Sequence, residues 1–271
     1  MGDASILIGS PVNTEPAILK EFLISLSNLN KDNLNMDFLF IDNNTDELSK
    51  KILREFKSEK CGIKIIDTNN KEQYVHTEVT HKWTDNLIWK VAGYRNNILK
   101  YCKEKEYDYL FMIDSDLLIH PETILFLTGL KEDIISEIFW TRWVPGAKEF
   151  PQVWLYDNYT LYEVEHTMGL SSSEINKRTT NFIDMLRVPG IYKVGGLGGC
   201  TLISKKAIDS GVSYERIPNV SFWGEDRHFC IRAAVLGFTL YVDTHYPAYH
   251  IYRKSDLPGA SEFKKRFYGL G

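Results

Sequence analysis

Tyr109-Leu110-Phe111-Met112-Ile113-Asp114-Ser115-Asp116 decides how this chain is read. Five apolar residues in succession describe a strand covered on both faces, since a half-exposed strand would alternate. Two carboxylates follow at once. Ligands of open α/β sheets collect beyond the carboxyl ends of the strands, where Asp114, Ser115 and Asp116 fall. Side chains at i and i+2 of extended chain point the same way, so both carboxylates can face one ion. Mg²⁺ and Mn²⁺ prefer oxygen ligands and keep positions open for phosphates. The plain alternative is a solvated turn, and the burial expected of the strand speaks against it.

Upstream, the periodicity predicts a helix over 87–105, with Arg95 in register with Ile88, Val91 or Ala92, Leu99 and Cys102. A buried arginine needs a partner, either a carboxylate such as Asp114 or a diphosphate. Residues 5–9 read as a first strand, halted by Ser10-Pro11. A helix from about Glu15 follows, with Ile18, Phe22, Leu26 and Leu29 on one stripe and Thr14 as its N-cap. Phe38 to Ile41 is a second strand. Asn44 and Glu47 then have capping-box spacing ahead of a helix carrying Leu48, Ile52 and Phe56. Residues 63–66 are a third strand. Asp42 and Asp67 close the second and third strands, and each either accepts from a base or ribose or is simply a polar strand end. Strands alternating with helices imply an α/β fold with right-handed crossovers.

Downstream the pattern is less regular. Residues 133–143, 151–162 and 171–181 read as insertions on a smaller sheet. Regularity returns at 195–204, in a helix over 225–236 and in a last strand over 239–242, with His245 and His250 after it. Either histidine can be a metal ligand; otherwise His245 is a surface residue and His250 a hydrogen-bonded core residue. The run from Arg253 reads as a charged, mobile tail.

Gly195-Gly196-Leu197-Gly198-Gly199 permits close backbone approach to a ligand or tight turns without one. It lacks the Lys-Ser or Lys-Thr of a P-loop. Gly224-Glu225-Asp226, preceded by Trp223, opens the later helix. Asp226 shares a stripe with Phe229, Cys230 and Ala233, so it is an N-cap or a working base. Trp140, Trp143, Trp154 and Trp223 pack or stack against sugars.

The 271 residues carry a formal charge of −4, 44% hydrophobic and 25% charged residues. That is ordinary globular composition and lacks the basic balance of a nucleic-acid binder. No apolar run approaches the roughly 20 residues that cross a bilayer, and the early first strand leaves no room for a signal peptide. Four scattered cysteines form no CxxC pair, so zinc and a disulfide framework are not expected. A cytoplasmic chain, at most peripheral to a membrane, is the expectation.

In order and spacing the chain resembles the GT-A fold glycosyltransferases, in particular the inverting family 2 type, over roughly residues 5–252. The carriers are SILIGSPVN (5–13), FIDNNTD (40–46), AGYRNNIL (92–99), LFMIDSD (110–116), GGLGG (195–199), WGED (223–226) and DTHYPAYHIY (243–252). The family often has an acidic pair and Gly-Ser after its second strand, where this chain has Asp42-Asn43-Asn44-Thr45. The resemblance implies that Pro11, Val12, Asn13 and Asp42 hold the nucleoside, with Asp67 and Ser115 in the same nucleotide site. It implies that Arg95 lies near the phosphates, Asp114 near the ribose or metal, and Asp116 on the metal, with His250 a further ligand. Asp226 matches the base and Glu225 its acceptor-contacting neighbour. Gly198, Gly199, Trp223 and Gly224 are expected contacts to acceptor or sugar.

The implied layout is a nucleotide-sugar half over 1–118, an acceptor and catalytic half over 119–252, and a tail over 253–271. The implied activity is Mn²⁺- or Mg²⁺-dependent hexosyl transfer from a nucleotide-sugar to a hydroxyl with inversion. UDP is the family's commonest carrier. The acceptor (carbohydrate, lipid-linked or peptide) and the oligomeric state stay open. A sugar-phosphate nucleotidyltransferase is the enzyme rival, but Ser10-Pro11-Val12-Asn13-Thr14 lacks the basic residues that hold a triphosphate. A carbohydrate-binding module without activity is the other rival, set against three intact carboxylates at Asp114, Asp116 and Asp226.

Overall fold

The structure is a computed structural model, and it describes residues 3–69, 84–164, 169–221 and 224–269. The first half runs β1 (Ala4–Val12), α1 (Pro16–Ser27), β2 (Leu34–Asp42), α2 (Glu47–Glu55), β3 (Ile63–Asp67), α3 (Asp85–Glu104) and β4 (Tyr109–Ile113). The four strands are parallel in the order β3, β2, β1, β4.

β4 is buried from Leu110 to Ile113, as its unbroken apolar run predicts. Its side chains alternate between two cores. Leu110 and Met112 join Leu7, Ile98 and Phe229 on one face; Phe111 and Ile113 join Ile6, Phe22 and Phe40 on the other. Each such side chain contributes roughly 1.5–3 kcal/mol on burial. On α3 the buried stripe is Ile88, Ala92, Arg95, Ile98, Leu99 and Cys102, so the sequence register holds.

Local stop and start signals fare less well. β1 does not halt at Ser10-Pro11 but continues to Val12 beside β2. β4 pairs with β1 only as far as Gly9, so Pro11 lies where β1 has lost that neighbour and a missing N–H is tolerated. Thr14 does not cap α1, whose N-cap position is Glu15 without a side-chain bond. The cap of α2 is Asp46, accepting from the Ser49 N–H at 2.8 Å, rather than Asn44. Thr14 and Asn44 are drawn into the site described below.

The second half comprises β5 (Leu117–Leu118), α4 (Thr123–Leu130), β6 (Ile134–Thr141), β7 (Phe150–Pro151), β8 (Val153–Trp154), α5 (Ser172–Leu186), β9 (Ile191–Val194), β10 (Gly196–Leu197), β11 (Cys200–Ser204), α6 (Lys205–Asp209), α7 (Glu225–Val235), β12 (Leu240–His250) and α8 (Leu257–Tyr268). The main sheet runs β3-β2-β1-β4-β11-β6-β12-β5, with β7 on β6 and β9 on β12. β11 is antiparallel to both neighbours, and β6 and β12 are parallel to each other. β8 and β10 form a separate two-stranded sheet. The architecture is a mostly parallel α/β sheet with helices and a smaller second sheet.

Several expectations change here. Residues 134–141 are no insertion: β6 lies inside the main sheet, buried at nearly every position. Ser171 caps the helix α5, so 171–181 is not sheet. β12 runs eight residues past the expected end at 242, with a bulge between Asp243 and Ala248, and carries both His245 and His250. The run from Arg253 is not a loose tail, since α8 buries Ala260 and Phe263 against Ile18, Leu118 and Ile251. The four cysteines are free thiols. No described helix is long and apolar enough to cross a membrane.

Candidate active site

The carboxyl ends of β1, β2 and β4 meet the N-terminus of α7 and the glycine run before β11. Asp114 follows β4 and bonds Arg95 of α3, Nη2 to Oδ1 at 2.7 Å. The same guanidinium forms an ion pair with Glu225, Nε to Oε1 at 3.2 Å. Arg95 is 4% exposed and lies against the Tyr214 ring, 5.3 Å from its centroid. Of its two expected partners, the structure supplies the carboxylate, and a second one. Arg95 is the brace between the carboxylates after β4 and the acidic start of α7.

Asp226 is the second residue of α7. The N-cap position is Gly224, with φ at 116° and no side-chain cap. The capping role for Asp226 is therefore not the one observed. Burial raises its carboxyl to about 8, with Arg95 pulling the other way and Glu225 and Asp114 adding to the rise. Burial likewise lifts Asp114 to about 6 against Arg95. Within this described cluster one guanidinium faces Asp114, Glu225 and Asp226, with Asp116 adjacent, so negative charge is in excess.

The glycines explain how so many carboxylates come together. Gly199 has φ at +64°, and a Cβ there would lie 2.7 Å from Asp114 Oδ2 and 2.8 Å from Phe139. Its carbonyl accepts from the Asp114 N–H at 2.8 Å. At Gly198 a Cβ would lie 2.5 Å from Asp226 Oδ2. Side chains at either position would push the carboxylates apart.

Asp116 points towards His250, Oδ2 to Nε2 at 3.3 Å. The other ring nitrogen, Nδ1, is 2.9 Å from Thr141 Oγ1, which also accepts from Gln152 Nε2 at 3.0 Å. A ring that donates from Nδ1 to Thr141 leaves its Nε2 lone pair facing Asp116, the arrangement typical of a ligating histidine with an outer partner. Among the described residues no three His, Cys, Asp or Glu groups form a complete ion cage. A carboxylate and an imidazole in contact, beside surplus negative charge, suit a cation that takes its remaining ligands from phosphates.

At the carboxyl end of β2, Asp42 is fully buried. Its Oδ1 accepts from the Asn44 N–H at 3.0 Å and side-chain amide at 2.8 Å. Its Oδ2 is buried and meets no donor among the described residues. A buried acceptor left in this state costs about 1–3 kcal/mol unless a ligand donor reaches it. Val12 accepts from the Asn43 N–H at 2.8 Å, and the Asn43 side chain accepts from Tyr94 at 2.8 Å. Thr14 donates its N–H to Asn44 at 2.9 Å and contacts Ser115 through its hydroxyl. Pro11 and Asn13, both partly exposed, flank Val12 on this rim.

Asp67 neighbours Asp42 across β2 and β3 but is engaged by Arg54 at 2.9 Å and by the Asn69 N–H at 2.7 Å. The Asn69 bond in particular holds its carboxyl below the usual range. Trp223 lies outside the described residues. His245 bonds Asp243 at 2.5 Å and takes no part in this cluster. Thr14, Asn43, Asn44, Tyr94 and Tyr214 enter the site without any sequence signal of their own. Asn43, Asn44 and Tyr94 do lie within the FIDNNTD and AGYRNNIL stretches.

No family model matches the chain, and no curated protein matches it. Solved structures do. S. aureus TarS (residues 1–349) aligns with 91% of this chain at TM-score 0.51 and 14% identity. The same protein in complex with UDP aligns with 90% at TM-score 0.50. The mannosyltransferase PcManGT from Pyrobaculum calidifontis, in complex with GDP-Man and Mn²⁺, aligns with 96% at TM-score 0.53 and 11% identity. The chain spans 60% of the length of each. The fold is the GT-A-like fold of these glycosyltransferases.

Proposed function

We propose that this chain is a divalent-metal-dependent glycosyltransferase moving a hexose from a nucleotide-sugar, UDP-linked by preference, onto an acceptor hydroxyl with inversion. The observation that carries the reading is Arg95, bonded to Asp114 and ion-paired with Glu225, which ties the DSD carboxylates to the start of α7 where Asp226 lies. The bound UDP of TarS and the GDP-Man and Mn²⁺ of PcManGT support a nucleotide-sugar and a cation for the same fold.

Asp116 and His250 would hold the cation, with Asp114 beside them, and the ion would neutralise charge building on the departing diphosphate. Asp42 Oδ2 takes a donor from the nucleoside, and Pro11, Val12, Asn13 and Ser115 line that side. Asp226 takes the proton from the acceptor hydroxyl as it attacks the anomeric carbon. A carboxyl raised towards neutrality is a stronger base than an exposed one and suits that transfer. Arg95 and Glu225 keep Asp226 and Asp114 apart and oriented.

Calorimetric titration of UDP with and without Mn²⁺ tests the metal half of the reading. Parent protein should bind UDP at least about 10-fold more tightly with Mn²⁺, a difference of roughly 1.4 kcal/mol. Asp116→Ala should abolish that difference without lowering the melting temperature. Equal affinities in parent and variant, with and without Mn²⁺, would remove the ion from the site.

A further inference from the structure

Beside the start of α7 lies a turn that no motif of the chain announces. Leu155 donates its N–H to Thr160 at 2.8 Å, and Tyr156 bridges to Thr160, closing a tight turn over 155–160. Tyr159 sits in this turn with φ at +56°. A side-chain-bearing residue there costs about 1–2 kcal/mol, and such strain persists where the surroundings over-determine it. The surroundings are visible. The Tyr159 ring lies 4.5 Å from Trp154. Its hydroxyl reaches the N-terminus of α7, within 3.1 Å of where a Cβ on Gly224 would stand. Burial and the nearby Asp226 and Glu225 charges keep that hydroxyl un-ionised.

Arg227, directly after Asp226, is 5% exposed. It pairs with Asp157 of the same turn, Nη2 to Oδ2 at 3.2 Å. Its Nη1 bonds the Ser221 carbonyl and hydroxyl, both at 2.6 Å. One side chain of α7 thus ties the 155–160 turn to the approach of its own helix. Gly198 lies against the Asp226 carboxylate itself, where a Cβ would stand 2.5 Å from Oδ2.

We propose that Tyr159 is an acceptor-positioning residue that walls the approach to Asp226, held there by the Asp157–Arg227 ion pair. The proposal rests on the reading of Asp226 as the base. An acceptor hydroxyl reaches the base between the Tyr159 ring and the Gly198-Gly199 backbone, so the ring selects the acceptor and shields Asp226 from bulk water.

Solvent access to Asp226 tests this without any acceptor. A water-soluble carbodiimide with glycine ethyl ester labels carboxyls, and peptide mapping by mass spectrometry reads the rate at Asp226 against exposed Glu262. Tyr159→Ala and Asp157→Lys should each speed labelling of Asp226 at least about 10-fold, equivalent to roughly 1.4 kcal/mol of lost closure. Tyr159→Phe and Asp157→Glu should stay near the parent rate, since each keeps the wall or the charge. Asp157 is 62% exposed, so a lysine fits there in solvent, and a melting curve confirms that the variant is folded even if Tyr159→Ala is not. Parent-like labelling in Asp157→Lys and in folded Tyr159→Ala overturns the proposal. Failure of the parent to bind either UDP or GDP in a calorimetric titration would count against glycosyl transfer, whereas the labelling rates still decide whether Tyr159 walls Asp226.

Discussion

The half that ends with β4 and the half that follows it are built on different plans. In the first, β1, β2, β3 and β4 follow one another through helices, β1, β2 and β3 lie side by side, and β4 crosses back to the other edge of β1. In the second, β11 enters the sheet between β4 and β6, and β12 reaches β6, β5 and β9 with a bulge on the way. The first half presents a rim of strand ends, and the second brings side chains across to it.

Core truncations should break this comparison most visibly. Phe111 is completely buried on β4, between β1 and β11, and Phe111→Ala should cost about 3–5 kcal/mol. Phe182→Ala, on the 6% exposed flank of α5, should cost less, because the site is nearer the surface and collapses more readily. Chemical denaturation measures both, and equal losses would mean that the second half is as tightly determined as the first.

Asp226→Asn should be the largest effect on turnover alone. Asparagine keeps the shape but cannot take a proton, and general base catalysis contributes about 10²–10⁴ in rate. Transfer should fall at least about 10²-fold, roughly 2.7 kcal/mol, with melting temperature and UDP affinity close to the parent's. Near-normal turnover would move the base elsewhere.

Gly199→Ala sharpens the comparison at the seam. The added Cβ meets Asp114 and Phe139 at positive φ, so stability should drop by about 1–2 kcal/mol. Mn²⁺-dependent UDP binding should weaken in parallel, because Asp114 must move. An unchanged UDP titration would place the cation away from Asp114.

The smallest expected effect concerns Glu137 of β6, in register with Asp243 of β12. Burial, reinforced by Asp243, raises its carboxyl well above the ordinary value of 4.5. The folded state therefore holds this proton at pH values where the unfolded chain has lost it. Its stabilising contribution is full below about 4.5 and declines as pH rises towards the folded value. Glu137→Gln lacks that decline, so its melting temperature relative to the parent should rise by about 2–4 °C between pH 4.5 and 7. A gap that narrows over that range would show that the glutamate is charged in the fold.

Periodicity reads the first half because its signals are short-range. A parallel strand covered on both faces is an apolar run, and an amphipathic helix repeats every 3.6 residues, so β4 and the Arg95 stripe of α3 stand in the sequence as they stand in the sheet. Thr14 and Asn44 have the chemistry of helix caps but do not cap, because the Thr14 hydroxyl meets Ser115 and the Asn44 side chain is taken up by Asp42 and the Thr14 N–H. β6 reads as an insertion because its place in the sheet depends on β11 and β12, which come much later in the chain.

The amino-acid sequence by itself determined the parallel α/β core and the carboxylates that close β4, since burial on both faces writes itself into consecutive residues. It also determined which residues carry charge and which glycines leave room. Tertiary structure alone decided that Arg95 spans Asp114 and Glu225, that His250 faces Asp116, and that Tyr159 overhangs the start of α7. Those contacts join residues from separate elements. Their distances follow from how the sheet twists and packs, which no local pattern encodes.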